Sequence, residues 1–211
     1  MNHPTLTNWL CLSGVVAFVL YITATLVAPL YYPGYNWVTQ AISDLGALSS
    51  PSRLAWLIIW SFGSACALLS VAVVSIVFQQ KANRLLRIGI YLFASMTWLL
   101  LGYTMFPLSE GGSAGTAIDA LHLYLVTPLV MLTTLASLIC IVMGARKEPR
   151  YRSLTVTAAV VLSLVLIGGA GIGLAGETHF GLFERVTIYS IMAFTAILGV
   201  FGFREKQTLS N

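Results

Sequence analysis

Residues 153–175 read SLTVTAAVVLSLVLIGGAGIGLA and contain no charged side chain. An α-helix rises about 1.5 Å per residue, so about 20 apolar residues are enough to cross the hydrocarbon core of a bilayer. Backbone groups in lipid have no water to bond, and a helix pairs them within the segment itself. This stretch therefore predicts a transmembrane helix.

Five further segments have the same length and apolar character. The predicted spans are residues 9–30, 53–78, 85–107, 117–144, 153–175 and 182–203. The chain is 58% hydrophobic and 9% charged, whereas a soluble domain carries about 25% charged residues to cover its surface. The sequence therefore predicts an all-α fold, a polytopic transmembrane bundle of six helices forming a single domain over residues 1–211.

The longest connecting segment, residues 31–52, follows the first span. Within it Ile42, Leu45 and Leu48 recur at spacings of three, which is typical of one face of a helix. We therefore expect a short interfacial helix in this first outer loop.

Basic residues concentrate in alternate connecting segments. One set contains nine Lys and Arg residues and two acidic residues, a net charge of +7, and the other set has a net charge of −3. Lys and Arg near helix ends are retained in the cytoplasm. We therefore expect a multi-pass protein of the plasma or inner membrane with both termini cytoplasmic. Because topology accounts for the positive charge, no nucleic-acid partner is expected.

Polar side chains of the outer face form the candidate site. They lie in the first outer loop and at the outer ends of the helices, and they are Ser43, Asp44, Arg53, Asp119, His122, Glu177, His179, Glu184 and Arg185. Asp119 and His122 are three residues apart and share one helix face. The fourth and sixth helices both begin outside, so their positive dipole ends favour Asp119 and Glu184.

Three interpretations of this polar set remain open. The first is that the residues cap helices and form ion pairs that hold the outer loops together. The second is a zinc site built from His122, His179 and one carboxylate, from Asp119, Asp44 or Glu177, with a water as fourth ligand. Otherwise no cofactor is evident. The third is a lipid-headgroup site, in which Arg53 and Arg185 contact phosphate and the carboxylates contact an amine or sugar.

These interpretations lead to three hypotheses about function. The leading hypothesis is an integral membrane protein, with membrane lipids as partners, that binds a lipid headgroup at the outer-face site. The alternatives are a metal-dependent lipid hydrolase or transferase and a small-solute transporter. No complete catalytic motif is present, so the sequence leaves open whether the protein is an enzyme. No ionisable residue lies near the middle of a predicted span, which disfavours an ion-coupled pump.

Residues 171–176, GIGLAG, match the pattern of a nucleotide-binding loop, but they end an apolar span instead of joining a strand to a helix. The more useful pattern is Gly169-x-x-x-Gly173, with Gly168 and Ala170 nearby, because small residues let helix backbones approach closely in lipid. It predicts tight packing of the fifth helix. His3 lies in a polar stretch before the first span and is expected to be solvated.

Two short motifs carry a family resemblance. Residues 41–46 read AISDLG after the first span, and residues 181–185 read GLFER at the start of the last. With six spans, the chain resembles the prokaryotic membrane family called domain of unknown function 998 over nearly its whole length. It has a more distant similarity to the Frag1/DRAM/Sfk1-type six-helix proteins, which are linked to lipid handling. The resemblance implies no activity, but it implies that the two motifs meet in space, through an Asp44–Arg185 or a Glu184–Arg53 contact.

Overall fold

The computed structural model describes residues 5–112 and 115–207, without the side chains of residues 206 and 207. His3 lies outside the described residues. Six helical stretches are long and apolar enough to cross a membrane: Leu6–Tyr31 (α1), Arg53–Gln79 (α2), Arg84–Met105 (α3), Ala117–Ala145 (α4), Pro149–Thr178 (α5) and Phe180–Glu205 (α6). The described part of the chain contains no β-strand. The predicted all-α bundle of six spans is therefore confirmed, with span ends within a few residues of those predicted.

Several spans contain local irregularities. In α1 the helices Leu6–Cys11 and Ser13–Val27 are followed by a 3-10 turn at Ala28–Tyr31. The last helix, α6, continues to Gln207. The most marked irregularity is in α4, where a π-helical segment at Leu121–Val126 precedes the α-helix Thr127–Ala145. Such π segments are frequent at functional sites, and this one carries His122.

Consecutive helices pack as antiparallel neighbours, most extensively α1 with α2, α3 with α4, and α5 with α6. The last helix also returns to contact α1 and α2, which closes the bundle. Glycines allow the closest approaches. A Cβ at Gly89 of α3 would lie 2.7 Å from the backbone nitrogen of Ile141 in α4, and a Cβ at Gly14 of α1 would lie 2.7 Å from the carbonyl oxygen of Thr195 in α6.

The fifth helix packs tightly, as predicted, but through Gly168 and Gly171 and not through the Gly169-x-x-x-Gly173 pair. A Cβ at Gly168 would collide with Thr187 of α6, and one at Gly171 would collide with the ring of Phe183. A Cβ at Gly173, by contrast, would have no neighbour within 4 Å, and one at Gly169 would meet only the Met131 Cε atom at 3.7 Å. The prediction that Gly169 and Gly173 form the packing face was therefore wrong, because the helix turns Gly168 and Gly171 toward α6.

The two ends of the bundle differ in character. The basic end comprises the α2–α3 and α4–α5 connections, where the Glu148 Oε1 atom accepts hydrogen bonds from the Asn83 backbone N–H (3.1 Å) and side-chain amide (2.8 Å). These bonds hold the pKa of the Glu148 carboxyl below its ordinary value, against the opposing effect of burial. The main apolar core, with Phe78, Phe93 and Tyr151 fully buried, fills the half of the bundle behind this end.

The opposite end, which we call the acidic end, comprises residues 32–52, 106–112 and 115–116 and the α5–α6 connection. The predicted short interfacial helix is here a single 3-10 turn, Ser43–Gly46. Ile42 and Leu45 are buried, while Leu48 is 47% exposed. The predicted short helix of the first outer loop is therefore present as a single turn, and two of the three residues of its predicted face are buried.

Candidate functional site

The buried guanidinium of Arg185 fixes the first connecting segment to α6. Its Nη1 atom donates to the carbonyl oxygens of Trp37 (2.8 Å), Gln40 (3.1 Å) and Gly181 (2.8 Å). Its Nη2 atom donates to the Tyr35 hydroxyl at 2.6 Å. The side chain is only 5% exposed, so Arg185 is occupied by the protein's own backbone and is not placed to bind phosphate.

Gly181, four residues before Arg185, allows the backbone of the first connecting segment to contact the start of α6 closely. A Cβ at this position would lie 2.7 Å from the Trp37 carbonyl oxygen and would also collide with the Gln40 carbonyl. The Leu182 backbone N–H donates to the Val38 carbonyl oxygen at 3.1 Å. The GLFER segment therefore begins with a glycine because the loop backbone rests directly on the start of α6.

Asp44 and Glu184 also fasten the first segment, through backbone N–H groups. The Asp44 carboxylate accepts from Ala41 (3.1 Å) and from Gly112 of the α3–α4 connection (3.1 Å). The Glu184 Oε2 atom accepts from Ile42 at 2.5 Å. Burial raises the pKa of the Asp44 carboxyl above its ordinary value. The hydrogen bonds from the Ala41 and Gly112 N–H groups and the charge of Arg185 limit this rise.

The two sequence motifs therefore meet in space, as expected, but not through the expected contacts. Neither an Asp44–Arg185 nor a Glu184–Arg53 ion pair forms, and the ion pairs between described side chains are Lys81–Glu205 and Glu148–Arg150 at the basic end. The charged side chains bind loop backbone in preference to one another.

Asp119 caps the start of α4 and fixes the preceding segment. Its carboxylate accepts from the Ser109 backbone N–H (2.7 Å) and hydroxyl (2.6 Å), and from the Thr116 N–H and hydroxyl (both 2.9 Å). Thr116 in turn accepts from the Asp119 backbone, which completes a capping box. This geometry supports the capping interpretation for Asp119.

His122 lies one turn further along α4 and is buried. Its Nδ1 atom is 2.8 Å from the Phe106 carbonyl oxygen, and its ring packs against Tyr103 with a centroid distance of 4.8 Å. Because a carbonyl only accepts, Nδ1 carries the proton and Nε2 of the neutral ring is a hydrogen-bond acceptor. Nε2 has no hydrogen-bond partner among the described residues, so it is available to a ligand.

Glu177 and His179 stand apart from this cluster. Both are exposed, and His179 Nδ1 lies 3.0 Å from the hydroxyl of its neighbour Thr178. Among the described residues there is no group of three His, Cys, Asp or Glu side chains arranged to hold a metal ion. The candidate zinc ligands His122, His179 and Asp119 are therefore not brought together.

A cavity of about 370 Å³ opens within the acidic half of the bundle. All six spans contribute to it, together with the Ser43–Gly46 turn and residues 107 and 108. The lining residues are Tyr21, Ile42, Ser43, Gly46, Arg53, Trp56, Leu57, Trp60, Leu100, Tyr103, Thr104, Pro107, Leu108, His122, Leu123, Thr127, Val130, Met131, Gly169, Ile172, Phe180, Glu184, Thr187, Ile188 and Met192.

The cavity has a polar rim and an apolar floor. Four of the predicted site residues, Ser43, Arg53, His122 and Glu184, lie in the Ser43–Gly46 turn or within the first two turns of a helix at the acidic end. Trp60 lies seven residues beyond Arg53, about 10 Å further along the helix axis. The floor is formed by residues at that depth or deeper, including Trp60, Val130, Met131, Ile188 and Met192.

Arg53 is the cation of this rim. It begins α2 and makes one long hydrogen bond, from Nη1 to the Gly46 carbonyl oxygen at 3.5 Å. It forms no ion pair with any carboxylate in the described part of the chain. Of the two arginines predicted at the outer face, Arg185 is therefore structural and Arg53 is available.

The sequence did not single out the aromatic side chains of the site. Trp56 and Trp60 stack one helical turn apart with centroids 6.2 Å from each other, and Tyr21 meets both edge-on at 5.8 and 5.0 Å. Tyr35 accepts from Arg185 and donates to the Ala41 carbonyl at 2.7 Å. Burial raises the pKa of Tyr35, which keeps this phenol a donor. The spacing of four between the tryptophans was the available signal.

These features define an integral membrane protein with six apolar spans and a polar-rimmed cavity at one end of the bundle. The chain belongs to the family described as Protein of unknown function (DUF998), whose model matches residues 15–201. No curated protein and no solved structure matches the chain.

Proposed function

We propose that this protein binds a membrane lipid in the cavity, with the anionic part of the headgroup at Arg53 and an apolar chain on the floor. The observation that carries the proposal is an arginine without an ion-pair partner on the rim of a cavity lined by all six spans. Guanidinium groups bind phosphate through paired, charge-assisted hydrogen bonds. A guanidinium charge at the edge of a low-dielectric cavity is stabilised by a phosphate counter-ion.

The shape and position of the cavity fit an amphiphile. Its volume lies within the range of about 300–1,000 Å³ that small-molecule sites occupy. Leu123 of the α4 membrane span lines the cavity and is 38% exposed. We expect a bound lipid to reach the bilayer beside this residue.

The proposal is tested by native mass spectrometry of the purified protein with lipids added back. Arg53→Gln should lower retention of phosphate-containing lipids by about 10-fold or more, because a charge-assisted hydrogen bond contributes about 1.5–3 kcal/mol. Arg84→Gln is the matched control, since Arg84 is an exposed arginine that begins α3 at the basic end.

Equal lipid retention in wild type, Arg53→Gln and Arg84→Gln would contradict the proposal. So would an equal loss in both variants, since that would indicate a general effect of positive charge. Thermal unfolding of each variant is measured alongside, so that loss of binding is separated from loss of folding.

We also propose that the acidic end faces the outside of the cell membrane and that the basic end and both chain termini are cytoplasmic. The support is the distribution of charge: the segments at the basic end and the C-terminal segment together carry a net charge of +7, and the acidic end carries −3. Basic residues near span ends are retained in the cytoplasm.

A further inference from the structure

Two opposite charges line the cavity without neutralising each other. Arg53 begins α2, and Glu184 lies in the second turn of α6, yet they form no ion pair. Each side chain has a different backbone partner, because the Glu184 carboxylate accepts the Ile42 N–H at 2.5 Å and the Arg53 guanidinium donates to the Gly46 carbonyl at 3.5 Å. The rim therefore presents a separated cation and carboxylate to the same enclosed space.

An aromatic ring near the start of α2 lines the same cavity. Trp56 is one turn beyond Arg53 and lines the cavity. Its position is fixed by the Ser43–Gly46 turn, since a Cβ on Gly46 would lie 2.9 Å from the indole Cδ1 atom. Stacking on Trp60 and the edge contact with Tyr21 hold the ring further. Indole rings attract ammonium groups strongly, and more so where water is excluded.

We propose that the lipid headgroup is zwitterionic, with its phosphate at Arg53 and its ammonium group at Glu184 beside Trp56. This inference rests on the proposed lipid-binding function and names the substrate class of that site. A zwitterion satisfies both charges of the rim at once. A purely anionic headgroup satisfies Arg53 but brings negative charge close to the Glu184 carboxylate, and such like-charge contact discriminates against the wrong ligand.

The first test compares two lipids with identical acyl chains, phosphatidylethanolamine and phosphatidylglycerol, on the wild-type protein by native mass spectrometry. The wild type is expected to retain the ethanolamine lipid about 10-fold better, which corresponds to about 1.4 kcal/mol. Equal retention, or a preference for the glycerol lipid, would overturn the zwitterion inference without depending on any variant.

The second test uses Glu184→Gln, in which the amide oxygen can still accept the Ile42 N–H while the charge is lost. Its preference for the ethanolamine lipid should disappear, with retention of the glycerol lipid unchanged or increased. Glu177→Gln removes an exposed carboxylate of the same end and should leave the preference intact. A Glu184→Gln protein that keeps the wild-type preference would overturn the inference.

A third arm separates a lipid from its free headgroup and separates the two proposals. Soluble phosphoethanolamine is expected to displace bound lipid only at large molar excess, because it leaves the floor of the cavity empty. Displacement at equal concentration would overturn a lipid as the ligand.

If Arg53→Gln still reduces phosphatidylglycerol retention when the ethanolamine preference is absent, lipid binding stands and only the zwitterion inference fails. If Arg53→Gln reduces neither lipid, the lipid-binding proposal itself fails.

Discussion

Arg185 performs a different task from Arg53, although both are arginines at the same end of the bundle. Burial would make an isolated guanidinium costly, and Arg185 offsets that cost with four donated hydrogen bonds. Three of its acceptors are backbone carbonyls, those of Trp37, Gln40 and Gly181. The residue therefore fixes residues 35–40 to the start of α6.

We expect Arg185→Ala to destabilise the protein by about 3 kcal/mol or more, because it removes four hydrogen bonds from a charged donor, three to backbone carbonyls and one to the Tyr35 hydroxyl. In a protein of this size that corresponds to a fall in Tm of roughly 6–12 °C. Arg185→Lys should lose less, since an ammonium keeps the charge but does not reproduce the planar fork of donors. Thermal unfolding in detergent, followed by tryptophan fluorescence, measures both.

Arg84→Ala is the control. Because Arg84 is exposed, we expect the free energy of unfolding to change by no more than about 0.5 kcal/mol. A Tm for Arg185→Ala equal to that of Arg84→Ala would show that the loop contacts contribute nothing to stability.

The sequence indicated which end of the bundle carries these polar residues and that Asp119 caps a helix, but it did not indicate the contacts of Arg185. Charges at span ends are visible in a hydropathy pattern, which is how Arg53, Glu184 and Arg185 were selected. The acceptors of Arg185 are main-chain carbonyls, which have no signature in the sequence. The pattern therefore suggested ion pairs, whereas the folded loop provides backbone partners instead.

At the scale of elements, the spans could be predicted because their apolar length is set by the bilayer. The first connecting segment could not, since its three-residue spacing fits both an interfacial helix and a single buried turn. The packing face of the fifth helix could not be predicted in full either. Gly168, Gly169, Gly171 and Gly173 all lie within two turns, and only the position of α6 decides which of them pack.

The packing face of α5 leads to a paired prediction. Gly168→Ala should destabilise the protein by about 1–3 kcal/mol, because the new methyl group would collide with Thr187 and lie 2.8 Å from the Phe183 carbonyl oxygen. Gly173→Ala meets open space and should be neutral or stabilising by up to about 1 kcal/mol through helix propensity. Thermal unfolding of the two single variants provides the comparison. Equal destabilisation by both, or greater destabilisation by Gly173→Ala, would contradict the observed face.

At the scale of the whole molecule, the two halves of the bundle have different tasks. The basic half is filled by aromatic and aliphatic side chains and closed by hydrogen bonds around Asn83 and Glu148. The acidic half contains the cavity, and Ile42, Ser43 and Gly46 of the first connecting segment form part of its lining. The cavity could not be predicted from the sequence, because it depends on how six separate helix ends converge.

The direction in which this asymmetric molecule crosses the membrane is a prediction from its charges, +7 at the basic end and in the C-terminal segment against −3 at the acidic end. Single substitutions at exposed, uncharged positions test it without altering that balance: Thr39→Cys at the acidic end and Gln80→Cys at the basic end. A membrane-impermeant maleimide added to intact cells should label Thr39→Cys and should label Gln80→Cys only after permeabilisation. The native thiols Cys11, Cys66 and Cys140 lie within spans and are buried or half-buried, so the unsubstituted protein gives a low background. The reverse labelling pattern would place the cavity on the cytoplasmic side, and labelling of both variants in intact cells would contradict a single orientation.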